Sequence, residues 1–315
     1  MANLATREAY GKALVELGKE NKDIVVLDAD LSKSTKTADF AKAFPDRFFN
    51  IGIAEGDLMA TAAGLSTCGK IPFASTFAVF ASGRAFEQIR NSICYPELNV
   101  KIAATHAGLT VGEDGASHQS IEDLAIMRAI PNMTVICPCD DVETMAAIKE
   151  AAAMKGPVYI RLGRSAVPTL NSETDYKFEI GKAVTLKDGE DVTIFATGIM
   201  VNEALKASEM LKEQGISAQV INIHTIKPID EEAVINAAQK TGAVVTCEEH
   251  NVIGGLGSAV CEVLSEYYPV PVKRVGVMDM FGESGKPAEL LEEYGLTAEN
   301  VAEAAKAVFE KKKRV

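Results

Sequence analysis

In residues 133–165, MTVICPCDDVETMAAIKEAAAMKGPVYIRLGRS, two β-branched apolar runs flank one helical pattern. MTVICPC and PVYIRLG read as strands, and DVETMAAIKEAAAM between them reads as an amphipathic helix. The same alternation runs along the chain. DIVVLDAD, VKIAATH, VTIFATG, AQVINIH, AVVTCEE and PVKRVGV are further strand candidates. REAYGKALVELGKEN, NEALKASEMLKEQG and SAVCEVLSEYY are further helices. Continuous apolar strands alternating with such helices predict an α/β fold with mostly parallel sheets, each covered by helices on both faces.

The alternation pauses at VPTLNSETDYKFEIGKAV, residues 167–184, which is rich in turn formers and has no helical period. The chain therefore divides into two doubly wound domains, 1–170 and 183–315, with a linker at 171–182. A length of 315 residues and a hydrophobic content of 47% suit two ordinary cores.

A net charge of −12 excludes a duplex-binding surface, which needs clustered Lys and Arg. The basic run KKKRV at the C-terminus reads as a solvated tail. No apolar stretch approaches the roughly 18 residues of a membrane span, and the N-terminal segment has no apolar signal core. The six cysteines match no zinc or redox spacing, so a reduced, cytoplasmic protein is expected.

In parallel sheets, ligands sit at the carboxyl ends of strands. Three polar clusters fall there in the first domain: DADLSKST after the first strand, THAGLTVGEDGASHQS after VKIAA, and RLGRS after PVYI. Each alone reads equally as a surface connection; three on one edge read as a site. NIGIAEGDLMATAAGLS, residues 50–66, places the Glu55 carboxylate at the mouth of a small-residue helix. Glu55 reads either as a dipole-stabilised helix residue or as a buried acid that exchanges a proton with a ligand nitrogen. Phe77 and Phe80, three apart, read as one helical face, either packed in the core or walling a pocket for a flat heteroaromatic ring.

Taken together, GIAEGDLMATAAGLS, STFAVF, THAGLTVGEDGASHQSIEDLAIMRAIPNMTVICPCD and RLGR resemble the pyrimidine-binding domain of the transketolase family. LATREAYGKAL resembles the start of that domain, and EEHNVIGGLGSAV with the residues after it resembles the family's C-terminal domain. The resemblance runs nearly end to end. It implies ketol transfer between ketose phosphate donors and aldose phosphate acceptors, with thiamine diphosphate as cofactor. It implies that Glu55 bonds the pyrimidine N1′ and favours the imino tautomer, whose nitrogen removes the thiazolium C2 proton. Phe77 and Phe80 match the aromatics against the pyrimidine, and Asp30 matches an acid near the thiazolium. A third family aromatic falls at Gly83, where this chain departs. Arg7, Ser34, His106 and Arg164 match positions that hold the substrate phosphate, a pairing that guanidinium groups favour. Asp114 matches a carboxylate that orients a sugar hydroxyl beside the ketone, and His118 matches a histidine of the substrate channel. Glu55, His106, Asp114 and His118 are the catalytic candidates so implied.

The family's diphosphate site needs a Gly-Asp-Gly segment followed by an Asn-rich one, which together hold Mg²⁺ through oxygen ligands. EDG at 113–115 and KDGED at 187–191 do not supply it, so no metal ligand is assigned to this chain. GGLGSAV follows its strand by too long a loop for a dinucleotide site and reads as a helix-entry turn. The expectation is a C-terminal subunit of a split transketolase. An N-terminal subunit would carry the diphosphate domain, and this chain would form a homodimer within an α₂β₂ assembly. The beta subunit of a 2-oxo acid dehydrogenase and a deoxyxylulose phosphate synthase are the enzyme alternatives, and a silent binding module is the alternative outside enzymes.

Overall fold

The computed structural model describes residues 3–171, 174 and 176–312. Two residues of the C-terminal basic tail, Lys311 and Lys312, end the last helix, and the remainder of that tail lies outside the described residues. Part of the expected linker, at 172, 173 and 175, also lies outside them.

The strands are β1 (Asn3–Ala5), β2 (Ile24–Asp28), β3 (Phe48–Asn50), β4 (Ile71–Phe77), β5 (Lys101–Thr105), β6 (Thr134–Ile136) and β7 (Val158–Arg161). They continue with β8 (Ala166–Pro168), β9 (Val184–Lys187), β10 (Val192–Ala196), β11 (Ala218–Asn222), β12 (Thr225–Lys227), β13 (Val244–Asn251) and β14 (Val272–Val277). One sheet has the order β12-β6-β7-β5-β4-β2-β3 and is parallel except at β12. The second has the order β14-β13-β10-β11-β9 and is parallel except at β9. The fold is the expected α/β pair of mostly parallel sheets flanked by helices.

The central strands are wholly buried, which is why they read as unbroken apolar runs. One face of the first sheet is covered by helices Thr6–Glu20 and Asp141–Ala153, through Tyr10, Leu14, Ile148 and Ala151. Its other face joins a core that runs from Leu58, Met59 and Ile93 into Phe195, Val234, Leu256 and Val260 of the second domain. The two sheets are therefore welded by one apolar layer.

The weld extends to the backbone. β12 lies beyond the linker in sequence, yet it pairs antiparallel with β6 at the edge of the first sheet. Its placement follows from the turn after β11, where the Cys137 amide donates to the carbonyl of His224 at 2.8 Å. The linker's start is pinned by Asp140, which caps helix Asp141–Ala153 and accepts from the amides of Leu170 and Asn171, each at 2.8 Å.

A two-stranded ribbon completes the first domain. β1 pairs antiparallel with β8, Ala5 facing Ala166. The amide of Gly163 then donates to Thr6 Oγ1 at 2.8 Å. This ribbon brings Arg7, in the first turn of the N-terminal helix, beside Arg164 at the end of β7.

Candidate active site

Strands β2, β3, β4, β5 and β7 run parallel, so the segments leaving their carboxyl ends lie on one edge of the sheet. Asp30 and Ser34 come after β2, Glu55 after β3, His106 after β5 and Arg164 after β7, while Phe77 ends β4. The polar clusters read from the sequence are on that edge.

Glu55 opens helix Glu55–Thr67 and is 4% exposed. It has a cationic partner that the sequence reading did not name. Arg84 Nη1 lies 3.2 Å from its Oε1, and the Arg84 guanidinium carbon sits 4.2 Å above the Phe80 ring. Arg84 thus ties the carboxylate to the aromatic wall. The sequence reading missed Arg84; its position four residues after Phe80 and one after Gly83 was the available signal.

Phe77 and Phe80 do face the same space, by a different route from the one expected. Phe77 is the last residue of β4, and Phe80 lies in the helix Ala78–Gly83 that comes next. Their rings stack at 5.9 Å with planes 15° apart. His106 stacks on Phe77 at 3.8 Å, and His118 meets Phe80 edge-on at 5.5 Å. Gly83 is exposed, with open space where a Cβ would project, so no side chain closes that part of the wall.

His106 is buried and has a left-handed backbone, φ 57°. Its Nε2 lies 3.2 Å from Arg7 Nη1, and its Nδ1 lies 2.9 Å from Thr105 Oγ1. A guanidinium only donates, so this pairing assigns the lone pair to Nε2 and the proton to Nδ1. Burial, with Arg7, Arg164 and His118 adding positive charge, pushes the ring down to about 3. His106 is therefore neutral at neutral pH. It orients Arg7 and offers a hydrogen bond, and the positive charge of the expected anion grip resides on the two arginines.

Arg7 also donates to the carbonyl of Ser34 at 2.9 Å. The Ser34 loop is built by Asp28, a residue the sequence reading passed over. Asp28 accepts from the Leu31 amide at 2.5 Å, from Thr35 Oγ1 at 2.6 Å and from Thr37 Oγ1 at 2.9 Å. Burial still pushes its carboxyl above the usual range. Asp30 is exposed, with a left-handed backbone at φ 63°, and pairs with the Asn50 side chain at 2.9 Å. It stands on the same edge, in the segment between β2 and β3.

Arg164 donates to the carbonyl of Val111 and lies 3.6 Å from both Glu113 and Asp114. Asp114 ends the 3₁₀ turn Leu109–Asp114. His118 is held by Ser117 Oγ at 2.9 Å from its Nδ1. Contacts thus run from Glu55 through Arg84, Phe80, Phe77 and His106 to Arg7, with His118 against Phe80. Among the described residues, no group of three or more His, Cys, Asp or Glu is placed to hold a metal ion. No described helix is long and apolar enough to cross a membrane.

A buried carboxylate at a helix mouth, stacked aromatic rings and two arginines thus stand on the carboxyl edge of a mostly parallel α/β sheet, the edge where such folds bind ligands. The chain belongs to the transketolase family: the model of the transketolase pyrimidine-binding domain matches residues 2–169, and that of the transketolase C-terminal domain matches residues 181–301. It is similar to a solved split gene transketolase whose structure is titled an inactive beta4 tetramer, at 66% identity and TM-score 0.92 over 98% of this chain and 99% of that one. A 6-deoxy-6-sulfo-D-fructose transketolase subunit of a Clostridium species is 49% identical over 97% of this chain and 95% of its own length. A Pichia stipitis transketolase, solved with sedoheptulose 7-phosphate, is 28% identical with TM-score 0.84; the match covers all of this chain and 47% of that one. Membership in this family carries thiamine diphosphate dependence with it.

Proposed function

We propose that this chain transfers two-carbon ketol units between sugar phosphates, as one half of a thiamine diphosphate site completed by a second chain. The observation that carries this is the connected surface from Glu55 through Arg84 to Phe80, Phe77, His106 and Arg7. It joins a buried carboxylate, a flat aromatic wall and a cationic rim in the order a heteroaromatic cofactor and an anionic sugar would need.

The residues present fit that cofactor. Phe77 and Phe80 offer stacked faces to a pyrimidine, and the open position at Gly83 leaves room beside it. Glu55 would share a proton with the ring nitrogen N1′, and Arg84 would hold its carboxylate beside the aromatic wall. When bound, the cofactor supplies the nucleophilic carbon that takes up the ketol unit. Arg7 and Arg164 would grip the far, anionic end of the sugar, and neutral His106 would fix the direction of Arg7. Asp114 would accept from a sugar hydroxyl, and His118, edge-on to the phenylalanines, would line the channel between the two ends.

The second chain would bring the diphosphate-binding domain and the Mg²⁺ ligands. Three observations support this. The match covers less than half of a one-chain transketolase. A similar split-gene subunit assembled only with itself is described as inactive. Ile53, two residues before Glu55, is 76% exposed on this edge, an apolar group positioned to meet another surface. An α₂β₂ arrangement, two-fold symmetric, would pair each site with its complement.

Glu55→Gln tests the reading. In a complex reconstituted with a diphosphate-domain chain, ketol transfer should fall by ~10² or more, as for a lost acid–base group. Exchange of the cofactor C2 proton for deuterium should slow in parallel, while folding and association persist. Wild-type exchange in the variant would leave Glu55 as a helix-entry residue paired with Arg84, and the reading would fail.

A further inference from the structure

We infer that Glu249, which belongs to the second domain, is a positioning residue for the loop that carries Asp114 and His118. This inference rests on the function proposed above. Glu249 lies on β13, 139 residues along the chain from Thr110, and is 3% exposed. Its Oε1 accepts from the backbone N–H of Thr110 at 2.6 Å. Thr110 is in the first turn of the short 3₁₀ segment that ends at Asp114.

The loop is shaped for that carboxylate. Gly108 has φ +83°, and a Cβ there would come within 2.2 Å of the Glu249 carboxyl carbon. Only glycine permits both the conformation and the approach. Glu249 is itself anchored. Its carbonyl accepts from Arg161 Nη2 at 2.9 Å, and the same nitrogen donates to the Ser120 carbonyl at 3.1 Å, at the far end of the loop. Arg161 is fixed in turn by Asp123 at 3.0 Å. Both ends of the loop are therefore referred to one point on β13.

The second domain also holds the loop's other side. The Gln119 side-chain amide donates to the carbonyls of Leu109 at 3.1 Å, Gly112 at 3.2 Å and Glu283 at 2.9 Å. Burial pushes the Glu249 carboxyl upward, with Arg161 and Thr110 opposing. Burying a carboxylate is costly, and breaking its pairing leaves an uncompensated group. Its single amide contact here lies in the loop that presents the sugar-facing residues, and a charge-assisted bond to an N–H is the strong kind.

Glu249 touches neither the aromatic wall nor the arginine rim, so its effect is on loop geometry. The second domain thereby acts as a mould for the sugar-facing loop.

The test uses Glu249→Ala and Glu249→Gln in the full chain. Amide hydrogen exchange is read on the chain alone, and steady-state kinetics on the reconstituted complex. In Glu249→Ala, exchange at residues 109–112 should accelerate ~10-fold or more, as expected for loss of a bond to a charged group. KM for a sugar phosphate should rise and kcat fall, while thiamine diphosphate affinity stays within about twofold. Glu249→Gln keeps an acceptor oxygen without the charge and should return part of both losses; if the alanine variant does not fold, the Gln variant should still show exchange faster than wild type, confined to this loop. Unchanged exchange at 109–112 would overturn the inference. So would a loosened loop with unchanged KM, or a loss of cofactor affinity equal to the loss of turnover. A wild-type complex that transfers no ketol units would instead overturn the proposed function and leave the exchange result standing.

Discussion

At the scale of single residues, the site depends on where positive charge is kept. His106 is stacked on Phe77 and held neutral, so in the proposed site the anion grip would rest on Arg7 and Arg164. Arg164→Ala should therefore weaken phosphorylated sugars by roughly 10- to 150-fold in kcat/KM, the worth of a charge-assisted bond. Unphosphorylated analogues should lose only a few-fold. Arg164 also supports the Val111 carbonyl, so loop loosening would contribute to both losses. The ratio between substrate types isolates the anion contact. Equal losses on paired phosphorylated and unphosphorylated ketoses would remove Arg164 from that grip. Glu55, Phe77, Phe80, His106 and Arg164 were singled out in the sequence because they match motif positions of the family, and the structure places them on one edge of the first sheet. Arg84 and Asp28 were not. Each acts by partnering another residue, Glu55 and the Ser34 loop respectively, and that partnership exists only once strands β2, β3 and β4 lie side by side.

At the scale of elements, long amphipathic helices and buried strands were legible from periodicity, while short edge pieces were not. β1, β3, β8 and β12 have three residues each, too few to show a period. Phe77 read as helical from its spacing to Phe80, yet it closes a buried strand, because local spacing cannot tell a strand end from a helix start. The expected entry turn at GGLGSAV is present: Gly255 precedes helix Leu256–Tyr267, and Glu248 accepts from the amides of Leu256 at 2.7 Å and Gly257 at 2.8 Å.

The join between β11 and β12 gives a pH test at this scale. His224 sits there, fully buried, its ring 4.2 Å from Phe178, its Nδ1 2.9 Å from Thr225 Oγ1 and its Nε2 unpartnered. Burial pushes the ring down to about 4, with Asp230 opposing. Between pH 6.5 and about 4 the unfolded chain binds the proton and the folded chain does not. The wild type therefore loses stability from this group as pH falls through that window. His224→Phe keeps the ring packing and removes the titration. Near pH 7.5 the variant should be within about 1 kcal/mol of wild type, the worth of the lost Thr225 bond. At pH 5 the balance should shift in the variant's favour by about 2 kcal/mol. Denaturant titrations at the two pH values measure this; a difference independent of pH would show that the fold does not lower the His224 pKa.

At the scale of the whole molecule, the division into two sheets followed from one pause in the alternation. Their fusion did not. The shared core from Leu58 to Val260, the β6–β12 pairing and the Glu249–Thr110 bond are long-range contacts with no local signature. The expectation of a partner chain came from the sequence alone, which carries no Gly-Asp-Gly segment. The central claim is that this chain holds the pyrimidine end of the cofactor and a partner holds the diphosphate end. Calorimetric titration of thiamine diphosphate with Mg²⁺ tests it most directly, run on this chain alone and on its mixture with a diphosphate-domain chain. The account predicts weak binding to this chain alone and tight, Mg²⁺-dependent binding to the mixture. Tight, Mg²⁺-dependent binding to this chain by itself would contradict it.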